Sequence, residues 1–280
     1  RQQLINQTFA WAERLLYKGT VLNSFQSVFK ADLFKGKAIV ITGGGSGIGA
    51  CLVEAFIAQG AKVAFVDILE AESKALVADL TAKYPEAQLK FYRCDLLNID
   101  DLKQVIEQVK QQLGAISVLI NNAASDTRHN FLEVTPEYWD QRVNINLRHQ
   151  FFAIQAVYPQ MKELGAGSII NLGSMSWYES QGGMPGYTSS KAAVLGLTRG
   201  LARDLGPDKI RVNTLTPGWV MTERQLKFWV NEETARDIEK NQCVKDSLMP
   251  EDVAAMALFL ASDDSKLCTA QNFIVDGGWI

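Results

Sequence analysis

From Lys37 to the C-terminus, short apolar runs alternate with longer stretches whose hydrophobic positions recur at helical spacing. Lys37-Ala38-Ile39-Val40-Ile41 is the first run, and it breaks at Thr42 into a cluster of glycines. A helical stretch from Ala50 to Gln59 ends at Gly60, and a second apolar run, Lys62 to Asp67, follows. Strand, glycine turn, helix and strand make a βαβ unit. The alternation then predicts strands over Leu89–Arg93, Val118–Asn121, Gly167–Leu172, Ile210–Leu215 and Asn272–Val275. Between them, helices are expected over Glu70–Lys83, Asp100–Leu113, Pro136–Met161, Tyr187–Leu205, an irregular stretch around Glu223–Lys240, and Pro250–Leu260. The strand runs are continuously apolar, as parallel strands covered on both faces require. The expectation is an α/β fold: one open, doubly wound parallel sheet of about seven strands with helices on both faces. No linker or shift of composition divides the chain after residue 35, so residues 35–280 read as one domain.

The first 34 residues stand apart. Leu4, Ile5, Phe9, Trp11, Leu15 and Leu16 recur at roughly helical spacing, with Arg14 and Lys18 among them. This predicts a helical extension docked on its own domain or on a neighbouring subunit. The segment lacks an uninterrupted apolar run and a small-residue cleavage pattern, which argues against a secretory signal. Its acid-poor start matches a transit peptide only weakly, since serine is scarce.

Composition narrows the function classes. Hydrophobic residues make up 47% of the 280 positions and charged residues 21%, enough apolar material for a large core. Twenty-eight Lys and Arg against 31 Asp and Glu give a net charge of −3, with no basic excess to neutralise phosphates. Sequence-independent nucleic-acid binding is therefore not expected. No uninterrupted run of about 18 apolar residues occurs, so no membrane span is expected. Cys51, Cys94, Cys243 and Cys268 lie far apart with no C-x-x-C pair, a pattern of free thiols in a reducing, cytoplasmic compartment. His129 and His149 are too few for a His-rich site, and no metal is expected. The absence of G-x-S-x-G removes the commonest signature of a serine hydrolase.

The glycines carry the first chemistry. Gly43, Ser46, Gly47, Ile48 and Gly49 span the strand-to-helix turn, where backbone turns tightly and approaches a phosphate, and the helix N-terminus adds donor N–H groups. Asp67 ends the second strand, placed to accept hydrogen bonds from both hydroxyls of an adenosine ribose and to repel a 2′-phosphate. Neither the turn nor Ile68 offers a cation for such a phosphate, so NAD is expected over NADP.

Tyr187 and Lys191 lie four apart on a predicted helix and share a face. A phenol with a pKa near 10 is a poor base at neutral pH; lowering it to about 7 needs roughly 4 kcal/mol of favourable charge. Lys191 and the positive ring of an oxidised nicotinamide are the expected sources. Ser174 stands just past the fifth strand, at the carboxyl edge where doubly wound sheets place their chemistry. Its hydroxyl is the candidate partner for a substrate oxygen beside Tyr187.

Taken together these residues resemble the short-chain dehydrogenase/reductase family. Thr42-Gly43-x-x-x-Gly47-x-Gly49, Asp95, Asn121-Asn122-Ala123, Asn146, Ser174, Tyr187/Lys191 and Pro217-Gly218 match in order and spacing from about residue 35 to the end. The resemblance implies a Rossmann-like fold and an NAD-dependent oxidoreductase with Tyr187 as general acid/base. Lys191 lowers its pKa and binds the nicotinamide ribose, Ser174 positions the substrate oxygen, and Asn146 holds a relay water through its backbone. It further implies that Asp95 and Leu96 contact adenine, that Asn122 and Ala123 line the cofactor, and that Pro217, Gly218, Val220 and Thr222 cover the nicotinamide end. One departure is Ala124, where the family usually has glycine.

Shorter matches are similar to a subgroup that oxidises aldoses at C1, the xylose, arabinose, galactose and fucose 1-dehydrogenases. They are Arg93-Cys94-Asp95-Leu96, Asp126-x-Arg128-His129, Asn146-Leu147-Arg148-His149, Gly173-Ser174-x-Ser176-Trp177, Leu267-Cys268-Thr269 and Asp276-Gly277-Gly278-Trp279. A sugar pocket needs short polar groups and an aromatic plane, for which Asp126, Arg128, Ser174, Ser176, Trp177, Trp219 and Gln225 are candidates. His129 and His149 read as structural. The implied reaction takes a small-molecule aldose to its aldonolactone. The alternatives are oxidation of another secondary alcohol, reduction of a 3-oxoacyl substrate, or a non-catalytic NAD-binding regulator. The helix from Tyr187 to Leu205 is small or apolar nearly all round, which predicts self-association, and the resemblance implies a homotetramer.

Overall fold

Ala38–Thr42 forms β1, a strand buried at all five positions. Its side chains alternate between two cores: Ile39 and Ile41 point to one face of the sheet, Ala38 and Val40 to the other. The computed structural model describes residues 32–280. After β1 come α1 (Gly47–Ala58), β2 (Lys62–Asp67), α2 (Glu70–Lys83), β3 (Leu89–Arg93) and α3 (Ile99–Leu113). The second half runs β4 (Ile116–Asn121), α4 (Pro136–Val143), α5 (His149–Leu164), β5 (Gly167–Leu172) and α6 (Pro185–Leu205). It ends with β6 (Ile210–Pro217), α7 (Glu223–Phe228), α8 (Glu232–Asn241), α9 (Pro250–Ala261) and β7 (Asn272–Val275).

The seven strands are all parallel, in the order β3-β2-β1-β4-β5-β6-β7. This is the Rossmann-like doubly wound sheet that the apolar runs predict. One face is covered by residues of α1, α2 and α9, among them Leu52, Phe56, Leu80 and Leu258. The other is covered by Leu102 and Ile106 of α3, Val157 and Met161 of α5, and Ala202 and Leu205 of α6. Phe34 joins the first core, its ring 5.0 Å from that of Phe56, so packing begins just before the expected start of the domain. The expected N-terminal helix lies outside the described residues.

Two predicted helices are broken. The stretch from Pro136 is not one helix to Met161: Asn144–Arg148 forms a π-helical turn between α4 and α5. Local sequence gives no sign of it, because hydrophobic spacing barely changes across a widened turn. Glu223–Lys240 divides at Trp229, where Asn231 caps a new helix by accepting from the N–H groups of Glu233 and Thr234. Among the described residues no helix is long and apolar enough to cross a membrane.

Between β1 and β4 the strand order reverses, because the chain winds outward to β3 and returns to start the other half. Such a switch point opens a crevice at the carboxyl ends of the strands. Thr42 and Asn121 end the two strands that flank it.

Candidate active site

The glycine turn is held shut from the β4 side. Asn122 donates its side-chain amide to the carbonyls of Thr42 and Gly43, at 3.1 and 2.8 Å. The backbone N–H groups of Asn122 and Ala123 both donate to the Thr42 hydroxyl at 3.1 Å. Gly43 and Gly47 take left-handed φ values of 66° and 53°, and a Cβ on Gly49 would overlap the carbonyl oxygen of Gly43. Ser46 caps α1 without a side-chain hydrogen bond, which leaves first-turn N–H groups free for an anion. Asp67 closes the far side: its carboxylate accepts from the N–H of Gly45 at 2.8 Å and of Leu69 at 3.0 Å.

At the neighbouring strand end, Asp95 turns the chain by accepting from Leu97 N–H, and Leu96 is buried. Ala124 is exposed and does not adopt a positive φ, so alanine sits without backbone strain where glycine was expected.

Beyond β5, Ser174 caps a short 3₁₀ turn (Met175–Trp177), accepting from Ser176 N–H and donating to the Ser176 hydroxyl, both at 3.1 Å. Its side chain lines the same cleft as the Tyr187 phenol. Tyr187 and Lys191 sit on the face of α6 turned to the sheet. The Lys191 ammonium nitrogen lies 5.7 Å from the Tyr187 ring centroid and donates to the carbonyl of Leu172 at 2.7 Å. A ladder of buried amides and hydroxyls fixes this helix: Asn121 donates to Asn171, and Asn171 and Thr214 donate to the hydroxyl of Thr198.

Without a nicotinamide charge beside it, the phenol is governed by burial. Burial pushes the Tyr187 phenol up to about 12, a shift that the Ser174 hydroxyl opposes. Burial also brings Lys191 down to about 7. The largest cause of both shifts is exclusion of water, which disfavours phenolate and ammonium alike. His149 is pulled down to about 3 by burial and by Lys191, and its Nε2 faces the Ala123 carbonyl at 3.2 Å. His129 contacts the Tyr138 hydroxyl at 3.1 Å.

Asn146 lies in the π-helical turn and staples the β4 loop, accepting from Ser125 N–H at 2.8 Å and donating to the carbonyls of Ser125 and Arg142. Its own carbonyl, the group expected to hold a water, accepts from the Gln150 side chain at 3.3 Å.

One cleft collects Tyr187, Ser174, Ser176, Asp126, Arg128, Trp219 and Gln225, together with Ile48, Pro217, Gly218, Val220 and Thr222. Trp177 is not among its lining residues; stacked on Tyr178 at 3.5 Å, it borders a neighbouring hollow with Thr188 and Ser189. The cleft also gathers Glu179, Gln181 and Met184, which sequence reasoning missed. They follow Ser174 in an irregular segment, where polar residues read as ordinary loop surface.

A family model described as "Enoyl-(Acyl carrier protein) reductase" matches residues 43–280. A D-xylose 1-dehydrogenase of Caulobacter vibrioides is 48% identical over 245 residues, covering 88% of this chain and 96% of the relative. The chain belongs to the short-chain dehydrogenase/reductase family. A probable galactose dehydrogenase of Rhizobium meliloti is 45% identical to this dehydrogenase over 86% of the chain and 94% of the relative. Among solved structures, a short-chain type dehydrogenase/reductase from Mycobacterium ulcerans superposes with a TM-score of 0.83 at 26% identity, over 88% of this chain and 90% of that one. A blue fluorescent protein from a metagenomic library, in complex with NADPH, gives 0.79 at 35% identity, over 88% and 98%. Dehydrogenases of this family bind a nicotinamide cofactor. The residues here fit one: a glycine cradle that side chains would fill, uncapped helix N–H groups, and a buried lysine anchored to the Leu172 carbonyl.

Proposed function

We propose that this dehydrogenase oxidises a cyclic aldose at C1 to the aldonolactone with NAD. The observation that carries the reading is the 48% and 45% identity to two sugar dehydrogenases over nearly the whole domain. The cleft chemistry supports it. Asp126, Arg128, Ser176 and Gln225 offer both donors and acceptors beside the indole of Trp219, suited to a polyol with an apolar C–H face.

In this mechanism Ser174 holds the anomeric oxygen and Tyr187 removes its proton. The bound cofactor supplies a hydride acceptor and a positive charge near the phenol. C1 is the most readily oxidised carbon because the ring oxygen stabilises positive charge developing there. Lys191, anchored by Leu172, reaches the nicotinamide ribose, and Asn146 fixes the loop that carries Ala123 and Asp126. Proton release runs past Lys191 towards the Asn146 carbonyl.

NAD is favoured over NADP by Asp67, whose carboxylate is locked by two N–H donors where a 2′-phosphate would sit. The nearest arginine in the sheet, Arg93, pairs in register with Asp67 but faces Glu70 at 3.6 Å. That places a second carboxylate against a phosphate. Asp95 and Leu96 line the adenine side, and Asn122, Ala123 and the Pro217–Thr222 segment the remainder.

The assembly is a homotetramer in the cytoplasm, with residues 1–34 as an extension to the domain. Gly196 and Gly200 lie exposed on α6, and a Cβ at either would meet nothing within 4 Å, which leaves room for a second subunit. Four free cysteines, one of them exposed, fit a reducing compartment.

The test is NADH production at 340 nm with D-xylose, L-arabinose, D-galactose, L-fucose and simple secondary alcohols, each with NAD and NADP. Turnover of an aldose with NAD supports the reading. Turnover of the alcohols alone would discard the sugar and keep the cofactor chemistry.

A further inference from the structure

One acid in the cleft has no part in the proton transfer. Glu179 follows the 3₁₀ turn behind Ser174 and lines the same cleft as Tyr187, Arg128 and Trp219. Its Oε2 accepts from the indole N–H of Trp219 at 3.3 Å. Its Oε1 is closed to solvent and has no hydrogen-bond partner among the described residues. An ionised carboxylate offers about four acceptor positions, so one long indole bond leaves most of its capacity unmet. Buried acceptors without partners are costly and rare in folded proteins, and in a cleft the missing partner is a ligand group. Burial raises the Glu179 pKa, Trp219 opposes, Asp276 adds and Arg128 subtracts.

We infer that Glu179 is a specificity-determining residue, accepting a hydrogen bond from a ring hydroxyl of a neutral sugar away from the carbon being oxidised. The inference rests on the aldose reading. Arg128 supplies the complement: its guanidinium lies over the Trp229 ring at 4.8 Å and forms no salt bridge among the described residues. A donor and an acceptor in one cleft match neighbouring hydroxyls, each of which both donates and accepts. The terminal torsion of a glutamate is broad and two-fold, so a small turn presents either oxygen to the cleft without disturbing the chain. With Asp126 also lining it, the cleft carries two carboxylates, which disfavours sugar phosphates and sugar acids.

A rival role is support of the Trp219 indole alone, and a conservative variant separates the two. In Glu179→Gln the side-chain carbonyl still accepts from Trp219, but the second acceptor becomes a donor. The experiment compares kcat/KM for D-xylose and D-galactose with that for their 2-, 3- and 4-deoxy analogues, in wild type, Glu179→Gln and Glu179→Leu. NADH affinity by fluorescence titration and Tm are followed alongside. Wild type is expected to lose tenfold or more on removal of one particular hydroxyl. Both variants lose about tenfold on the parent sugar, mainly through KM, and the penalty for that one analogue shrinks below about threefold, with NADH affinity retained. If Glu179→Gln behaves as wild type, or every deoxy penalty survives in the variants, Glu179 supports Trp219 only and the assignment is overturned. Wild type inactive on every aldose of the panel overturns the substrate reading itself, and this assignment with it.

Discussion

Asp126 and Arg224 are 98 positions apart in the chain, and their side chains meet at 3.1 Å across the mouth of the cleft. Gln225 donates to the other oxygen of the same carboxylate at 3.0 Å. The loop after β4 is thus strapped to α7, the helix that follows the Pro217–Thr222 segment. Asp126 is mostly buried while Arg224 is 56% exposed, so the pair falls in the range of about 0.2–1 kcal/mol found for exposed ion pairs. Arg224→Leu should raise the KM for the aldose about two- to fivefold with little change in kcat. Steady-state kinetics check this, and 1 M salt should shift wild type the same way.

Tyr187→Phe removes the acid/base group of the proposed mechanism, which shares the cleft with Ser174. Turnover should fall by about 100-fold or more, the scale of a lost general base. NADH binding, followed by fluorescence, should stay within about threefold. A variant that keeps full turnover contradicts the mechanism.

Asp67→Ser takes away the carboxylate and weakens its bonds to Gly45 and Leu69. The ratio of kcat/KM for NAD over NADP should drop by about tenfold or more, since a charge-assisted hydrogen bond is worth about 1.5–3 kcal/mol. Initial rates with both cofactors measure it.

His149 and Lys191 contribute to the pH dependence of the cofactor-free protein. Burial lowers the pKa of each, so the unfolded chain binds more protons between the folded and the ordinary pKa. For His149, lowered from 6.5 to about 3, stability should rise with pH across that window. For Lys191, lowered from 10.5 to about 7, it should rise again between those values. Tyr187 acts oppositely: raised from 10.0 to about 12, it lets stability fall as pH climbs through that range. Urea midpoints against pH for wild type, His149→Gln and Lys191→Met test the assignment, because each variant should lose its own segment of the curve.

Gly200→Glu places a charge on the exposed face of α6, where an added Cβ meets nothing of the same subunit within 4 Å. The fold should be retained, with a circular dichroism spectrum like wild type. Light scattering should report a tetramer for wild type and smaller species for the variant. A monomeric wild type overturns the proposed assembly.

Much of the site was legible along the chain because the groups concerned obey local rules. Gly43, Gly47 and Gly49 stand where a strand turns into a helix, and Tyr187 and Lys191 share a face because the helical repeat puts them there. The π-helical turn was not legible, because one widened turn leaves the hydrophobic pattern of Pro136–Met161 almost unchanged. Trp177 and Glu179 lie two residues apart in an irregular segment, where no periodicity tells which side chain meets the cleft; the structure puts Trp177 against Tyr178 and Glu179 beside Trp219.

Sequence by itself determined the doubly wound sheet, the glycine turn after β1 and the shared helical face of Tyr187 and Lys191, since apolar period, glycine placement and helical spacing are short-range properties. Tertiary structure alone decided how far water is excluded around Tyr187 and Lys191, which moves both pKa values towards the neutral forms. It alone joined Asp126 to Arg224 and left one oxygen of Glu179 unmet. Desolvation and contacts between distant segments depend on how whole elements pack, and that information is spread over the chain rather than written at any one position.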